Sequence, residues 1–521
     1  MPRDLPSRDK NYELGCKLSN VVLLTVSRPF HVPVDVDAVE LLAARMVSWS
    51  IIEYCGLAEN SSCGYCKNSG RKSSLGTENG IEDTDDEGNS VSFGIWALKL
   101  SCRNYQRLLD RGWRRSGKYI YKPTMDRTCC PQYTIRLDST KFFLSRSQRR
   151  VLRQMNEFLK DGTKPRSRIR ESIPVDAESS SSKPAPRIKE SGDTKSPRKT
   201  VDKSNNPVQK KKELRRQRCY ARWRAKGLDV EEMKKARAAK EEARRRTVES
   251  YILEPDETWK HRLEVKLVHT GSEEFRKRYN ESYLLYEKYQ KIIHKDDDPS
   301  RAGFKRFLVD TPLFDDEPLP SPEGLTTGSY HQWYILDNKL IAVGVVDILP
   351  RCVSSKYLYY DPDYSFLSLG TYTALREIAF TRFVMRHRPE TKYYYMGYYI
   401  STCPKMRYKG SFHPSELLCD RTFQWVPLDI CDRMLRENDN KFTVFLPNSP
   451  PAVMQTRDQL ILLINGRAVL YADIEEVMPS LYELANSEAI RNKLDAFASR
   501  IGSDMTRLVI YLSDLQGIDV E

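Results

Sequence analysis

Long apolar runs are missing from this 521-residue sequence. No stretch approaches 18 consecutive apolar residues, which argues against a membrane-spanning helix. The early run Val21 to Val26 is short for a secretory signal and has no small-residue cleavage pattern after it. Cysteine is also scarce, with 12 in the whole chain, far below the density of a disulfide scaffold. The expectation is a reducing compartment, the cytoplasm with the nucleus also open to it, where clustered cysteines read as metal ligands rather than bridges. Excess charge is missing from most of the chain as well. The net charge is +14, but residues 161–250 hold 27 Lys/Arg against 14 Asp/Glu, a surplus of 13. The rest is near neutral, so its folded parts meet nucleic acid only through local patches. With 40% hydrophobic and 30% charged residues, the composition still supports a sizeable core.

Composition divides the chain into four parts. Residues 1–45 read as a disordered or weakly helical extension. Residues 46–160 are aromatic and cysteine-bearing, interrupted by an acidic surface excursion from about Ser69 to Ser92. Val151, Leu152, Met155, Phe158 and Leu159 form one face of a closing helix. Residues 161–250 read as a Ser/Pro/Lys linker followed by a basic helical arm over 209–246, broken near Gly227. That arm is either a solvated face or a phosphate-binding element. Residues 251–521 carry strand candidates at His261–His269, Lys339–Leu349, Lys356–Tyr360 and Tyr393–Ile400, and helix candidates at Glu281–His294 and Thr371–His387. Strand–helix–strand order with one crossover predicts an α+β or α/β layer structure, and Asn465-Gly466 predicts a hairpin.

Cys63-Gly64-Tyr65-Cys66 and the adjacent Cys129-Cys130 place four thiols in one region. Four thiolates suit tetrahedral zinc or an iron–sulfur cluster; free core cysteines and a redox dithiol are the competing readings. The adjacent pair requires a turn that converges neighbouring side chains, and Pro131 helps to fix one.

The segments CGYCKN (63–68), RGWRRSGKYIYKP (111–123) and CCPQYTIR (129–136) closely resemble the N-terminal domain of eukaryotic arginyl-tRNA–protein transferases. SYLLYEKYQKIIH (282–294), the long run 328–370, ALREIAF (374–380), YYYMGYYI (393–400) and CPKMRYKG (403–410) resemble the C-terminal domain of the same family. The resemblance implies transfer of arginine from arginyl-tRNA to the α-amino group of proteins beginning with Asp, Glu or oxidised Cys, creating a degradation signal read by ubiquitin ligases. It implies a GNAT-like acyltransferase domain using aminoacyl-tRNA in place of CoA, and it maps the family cysteines onto Cys63, Cys66, Cys129 and Cys130. An N-acetyltransferase and a non-catalytic tRNA-binding adaptor are the alternatives. The first is disfavoured because SFLSLGTYTALR has only one glycine where acyl-CoA enzymes of that fold carry a glycine-rich loop.

Aminolysis of an ester needs positioning and oxyanion stabilisation more than a covalent intermediate, so Cys403 reads as a packed thiol. The predicted cradle is the strand-to-helix passage through Tyr357, Tyr360, Asp361, Asp363, Tyr364, Ser365 and Ser368 to Gly370. Asp347, Asp361, Asp363 and Glu377 are candidates for the arginyl guanidinium, and Asp347 ends an apolar strand where a carboxylate needs a partner. Arg376, Lys405, Arg407 and Lys409 are candidates for the acidic acceptor residue. Arg114, Arg115 and Lys118 are candidates for tRNA phosphate or the acceptor pocket, with Trp113 or Tyr119 stacking.

Overall fold

A computed structural model describes residues 48–61, 63–66, 89–165, 211–243, 246–316 and 325–516. The 1–45 extension, most of the acidic excursion and the 166–208 linker lie outside them. Contacts divide the chain into one unit made of residues 1–165 and 247–521 and a second of 166–246.

The larger unit is built on two mixed sheets. The strands β1 (Ser50–Ser61), β2 (Ser90–Ser101), β3 (Arg114–Ser116) and β4 (Tyr119–Pro123) are followed by β5 (Tyr133–Asp138) and β6 (Leu263–His269). The short β7 (Leu313–Phe314) precedes β8 (Gly328–Leu336), β9 (Lys339–Ile348), β10 (Cys352–Tyr360) and β11 (Tyr393–Tyr399). Last come β12 (Ser415–Leu418), β13 (Trp425–Pro427), β14 (Ile461–Ile464), β15 (Arg467–Leu470) and β16 (Leu508–Tyr511). The first sheet runs β15-β14-β16-β1-β2-β4-β3, with β7 on β2; the second runs β13-β12-β5-β11-β10-β9-β8-β6. Both are interleaved in sequence: β5 sits between β12 and β11, and the late strand β16 pairs in parallel with β1.

The apolar run of β9 is buried on both faces, as its composition requires. One face meets the helix Leu369–His387 and, beyond it, the helix Arg146–Asp161; the other meets the aromatic helix Glu273–Tyr289. The predicted crossover is present, since β10 and β11 are parallel and joined by Leu369–His387. The Asn465-Gly466 hairpin forms with both residues at positive φ, the mirror-image turn that suits strand twist. The second unit contains two charged, largely exposed helices, Lys211–Ala225 and Val230–Ala243, separated at Gly227 (φ +68°). Among the described residues no helix is long and apolar enough to cross a membrane.

Candidate active site and four-cysteine centre

β10 and β11 pair only between Cys352–Ser354 and Tyr393–Tyr395. Beyond that point both are bulged: β10 shifts register between Ser355 and Tyr357, and β11 between Tyr395 and Tyr398. A cavity of about 460 Å³ lies along the resulting split. Strand residues Ser355–Leu358, Tyr360, Tyr394 and Met396–Tyr398, the helix positions Gly370, Thr373, Ala374 and Glu377, and the segment around Lys405–Lys409 line it.

The cavity carries both signs of charge. Glu377 is 1% exposed and accepts a 2.6 Å hydrogen bond from the Tyr394 hydroxyl. Burial pushes its carboxyl up to about 7, although hydrogen bonds from Tyr394 and Ser355 pull the other way. Gly344 on β9 makes room for it, since a Cβ there would stand 2.5 Å from Glu377 Oε1. Further along β11, Gly397 (φ +72°) lets the bulge form and turns carbonyls toward two cations. Arg114 donates to the Gly397 carbonyl at 3.2 Å and to the Trp113 carbonyl at 2.7 Å, and its buried Nε has no hydrogen-bond partner. Lys409 Nζ donates to the Tyr398 carbonyl at 2.7 Å. Neither cation has a carboxylate partner among the described residues. Burial, with Arg114 nearby, brings Lys409 down to about 7. Lys356, at the β10 bulge, also lines the cavity and donates to the Phe307 carbonyl; burial holds it well below the usual lysine range.

Of the residues predicted from sequence, Glu377, Tyr357, Tyr360, Gly370, Arg114, Arg115, Lys405 and Lys409 line this cavity. The middle of the predicted cradle does not. Asp361 is 1% exposed and clamped by Lys288 (2.5 Å) and Lys339 (2.7 Å), while its side chain caps the turn by accepting from the Asp363 amide. Against the cost of burial, hydrogen bonds from Lys288 and Lys339 hold it below the ordinary carboxylate range. Asp363 shares Lys288 at the surface (2.6 Å), Ser365 and Ser368 are exposed, and Tyr364 lies under Lys339. These residues serve the turn that launches the helix.

Asp347 does have the partner that its apolar strand demanded. Arg115 grips it at 2.8 and 2.6 Å, and Ser329 donates to it at 2.9 Å. Arg115 is thereby committed to a carboxylate rather than free for phosphate. Lys118 is half-buried at the β3–β4 turn, Arg376 bonds Tyr372 at 3.2 Å, and Arg407 is exposed beyond the cavity wall. Trp113 is fully buried, Tyr119 stacks on Tyr121, and Cys403 is packed in the core at the start of a short helix.

The four cysteines converge, with their sulfur atoms all within 4.8 Å of one another and Cys66 and Cys129 at 3.3 Å. Asn89 joins the two halves: its side-chain oxygen accepts from the Cys63 amide at 2.6 Å and its carbonyl from the Cys129 amide at 3.1 Å. Hydrogen bonds from Cys129 and Cys130 pull the Cys63 thiol far below its usual range. A compact all-thiol set with an easily formed thiolate fits a bound metal. Tyr65, inside the CxxC loop, lines the cavity, so the cysteine centre braces one of its walls. Replacing any of the four by serine is expected to abolish stoichiometric metal binding. Asn89→Ala should weaken it about 10–100-fold, measured by metal analysis after competition with a chelator.

Two family models match the chain, described as the arginine-tRNA-protein transferase N terminus over residues 61–150 and C terminus over residues 281–419. The chain is 37% identical to arginyl-tRNA–protein transferase 1 of Drosophila melanogaster over 482 residues, covering 81% of this chain and 92% of that protein. It is 34% identical over 488 residues to arginyl-tRNA–protein transferase 2 of Arabidopsis thaliana, covering 74% and 76%. An aspartate/glutamate leucyltransferase of Pseudomonas savastanoi pv. phaseolicola is 34% identical over 157 residues, covering 29% of this chain and 58% of that one. With both matched segments bordering one cavity and the identity extending along most of its length, this chain belongs to the arginyl-tRNA–protein transferase family.

Proposed function

We propose that this enzyme transfers arginine from arginyl-tRNA to the free α-amine of proteins beginning with Asp, Glu or oxidised Cys, as a step toward ubiquitin-dependent degradation. The observation that carries the reading is the charge layout of the cavity. A carboxylate sits at the Tyr394 end of β11, and two uncompensated cations sit at the Gly397–Tyr398 end. Four residues of strand separate them by roughly 13 Å at most, room for one arginyl and one acidic side chain end to end. The arginyl guanidinium pairs with Glu377, and the acceptor carboxylate pairs with Arg114 and Lys409. A relative named for aspartate/glutamate substrates fits that cationic end.

In this arrangement the acceptor nitrogen attacks the ester carbonyl carbon. The new C–N bond forms, the C–O bond to the terminal ribose breaks, and the amine's proton ends on the leaving oxygen. An α-amine titrates near 7.7–8.0, so alignment in the split accounts for most of the acceleration. The start of the helix Leu369–His387 has no side-chain cap, and Gly370 brings it to the cavity wall. The Thr371 and Tyr372 amides already donate to the Ser368 carbonyl, so the Gly370 amide is the donor this end offers to a 3′-terminal phosphate or the developing oxyanion. A parallel strand pair split around a cavity, within otherwise antiparallel neighbours, supports a GNAT-like reading of the second sheet.

Zinc or an iron–sulfur cluster is the group proposed for Cys63, Cys66, Cys129 and Cys130, tying two chain segments together behind Tyr65. The observed sulfur spacing fits one tetrahedral ion, for which Zn–S bonds of about 2.3 Å give sulfur–sulfur edges of about 3.8 Å. The reducing compartment that keeps such thiols free is the cytoplasm or nucleus.

Incubation with arginyl-tRNA and an Asp-initiated peptide should add the mass of one arginine; no gain, or transfer only from acetyl-CoA or leucyl-tRNA, would reject the reading. The pH profile tests the Glu377 assignment. Because its carboxyl is raised to about 7, kcat/KM should fall as pH drops below 7, where the carboxylate is lost. In Glu377→Gln that acid limb disappears, leaving the dependences set by Lys409 and by the acceptor amine near 8.

A further inference from the structure

Two of the cations proposed from sequence to meet tRNA phosphate do not face solvent: Arg114 is 7% and Arg115 4% exposed, and both are occupied inside the protein. An exposed alternative lies on the helix Arg146–Asp161. Arg146, Arg149, Arg150 and Arg153 are all exposed, and their spacing of i, i+3, i+4 and i+7 puts them on one face. Gln148, Leu152, Met155, Phe158 and Leu159 fill the opposite, buried face. No carboxylate pairs with any of the four arginines among the described residues. Among the described residues their one side-chain hydrogen bond is that of Arg149 to the Ser145 carbonyl at 3.4 Å. Glu157 stands a turn beyond Arg153 and closes the stripe.

The stripe is fixed to the cavity's border at both ends. At the helix start, a Ser145–Gln148 capping box sets the first turn, and Gln148 reaches the Ser411 carbonyl at 3.4 Å, next to the cavity residues Lys409 and Phe412. Near the helix end, Phe158 packs edge-on against Phe366, just ahead of the cavity residue Gly370. Exposed Lys405 and Arg407 continue the positive surface on the segment before Ser411.

The geometry points to this face as the docking surface for the phosphate backbone of the donor tRNA's acceptor arm, which delivers the aminoacyl end into the split between β10 and β11. Unpaired guanidinium groups in a row match the spacing of successive phosphates and carry no base readout, so the surface fits any tRNA bearing the right amino acid. The inference rests on the arginyl-tRNA reading above.

The test is direct binding of uncharged tRNA to the full chain, measured against salt concentration, so that it does not depend on transfer. In R146Q/R149Q/R150Q/R153Q, the slope of log affinity against log salt should fall by roughly two to four, and Kd near 0.1 M salt should rise about tenfold or more. The corresponding four-lysine variant should restore most of the slope, and the KM for an Asp-initiated peptide should stay put. An unchanged slope in a folded glutamine variant would overturn the proposal. So would a raised peptide KM with tRNA binding intact, which would make the stripe a protein-binding face, or a wild-type chain that does not bind tRNA. A wild-type chain that binds tRNA through the stripe yet transfers no arginine would refute the catalytic reading and support the surface.

Discussion

Arg114→Met is expected to lower kcat/KM for an Asp-initiated peptide about 100-fold while leaving an Asn-initiated peptide nearly where it was. Hydrogen bonds to a charged group contribute about 1.5–3 kcal/mol each, and 1.4 kcal/mol is about a factor of ten, so losing a bidentate grip on one carboxylate accounts for two decades. The paired substrates matter because Arg114 also donates to the Trp113 and Gly397 carbonyls. Damage to that scaffold would slow both peptides, whereas loss of carboxylate recognition slows only the acidic one. Equal losses on Asp and Asn peptides would therefore remove Arg114 from the acceptor pocket.

Lys409 gives the same site a pH signature. Its ammonium is depressed to about 7 by burial and by Arg114, so the cationic form prevails below that pH and is lost above it. An acidic acceptor favours the cation and binds with uptake of a proton. KM for the Asp peptide should therefore rise as pH passes 7 in the wild type and stay flat there in Lys409→Met. Glu377 responds in the opposite sense, ionising over the same range, so productive binding is confined to a window set by two groups at opposite ends of one cavity.

Local pattern made the individual elements legible: the buried run of β9, the crossover helix, the Asn-Gly hairpin and the closing helix all follow from periodicity and turn chemistry. The thiol set was legible too, because cysteine spacing states its chemistry directly. The interleaving of the sheets was not. Nothing in the sequence of β5 indicates that it will insert between β11 and β12 rather than join the strands before it, since strand pairing between distant segments depends on the packing of the whole unit. The split of β10 and β11 was hidden for the same reason, and with it the roles of Lys356 and Tyr65. Gly397 and Gly344 were the available local signals: a glycine interrupting an aromatic strand marks a bulge, and one within an apolar strand marks close approach. Asp361 misled because a carboxylate at a strand end reads equally as a ligand for substrate and as a cap for its own turn.

Asp347→Ala is expected to destabilise the protein by about 3–5 kcal/mol and to lower Tm by roughly 3–5 °C. Asp347 and Arg115 are each 1% exposed at the side chain and joined at 2.6 Å. Arg115 comes from β3 of the first sheet, whereas Asp347 and its second donor Ser329 come from β9 and β8 of the other. Removing the carboxylate strands a guanidinium at the seam between the sheets. The penalty is that of an unpaired buried charge, not the modest net contribution of the intact pair. This distinction is measurable. Arg115→Met combined with Asp347→Leu removes both charges and should recover most of the lost stability, giving a coupling of several kcal/mol in a double-mutant cycle. Because Arg115 also lines the cavity, the single variant should lose transfer activity together with stability, and the double variant should regain stability before activity. If Asp347→Ala instead melted within a degree or two of the wild type, apolar contacts alone would be joining the sheets, and the carboxylate at the end of β9 would need another explanation.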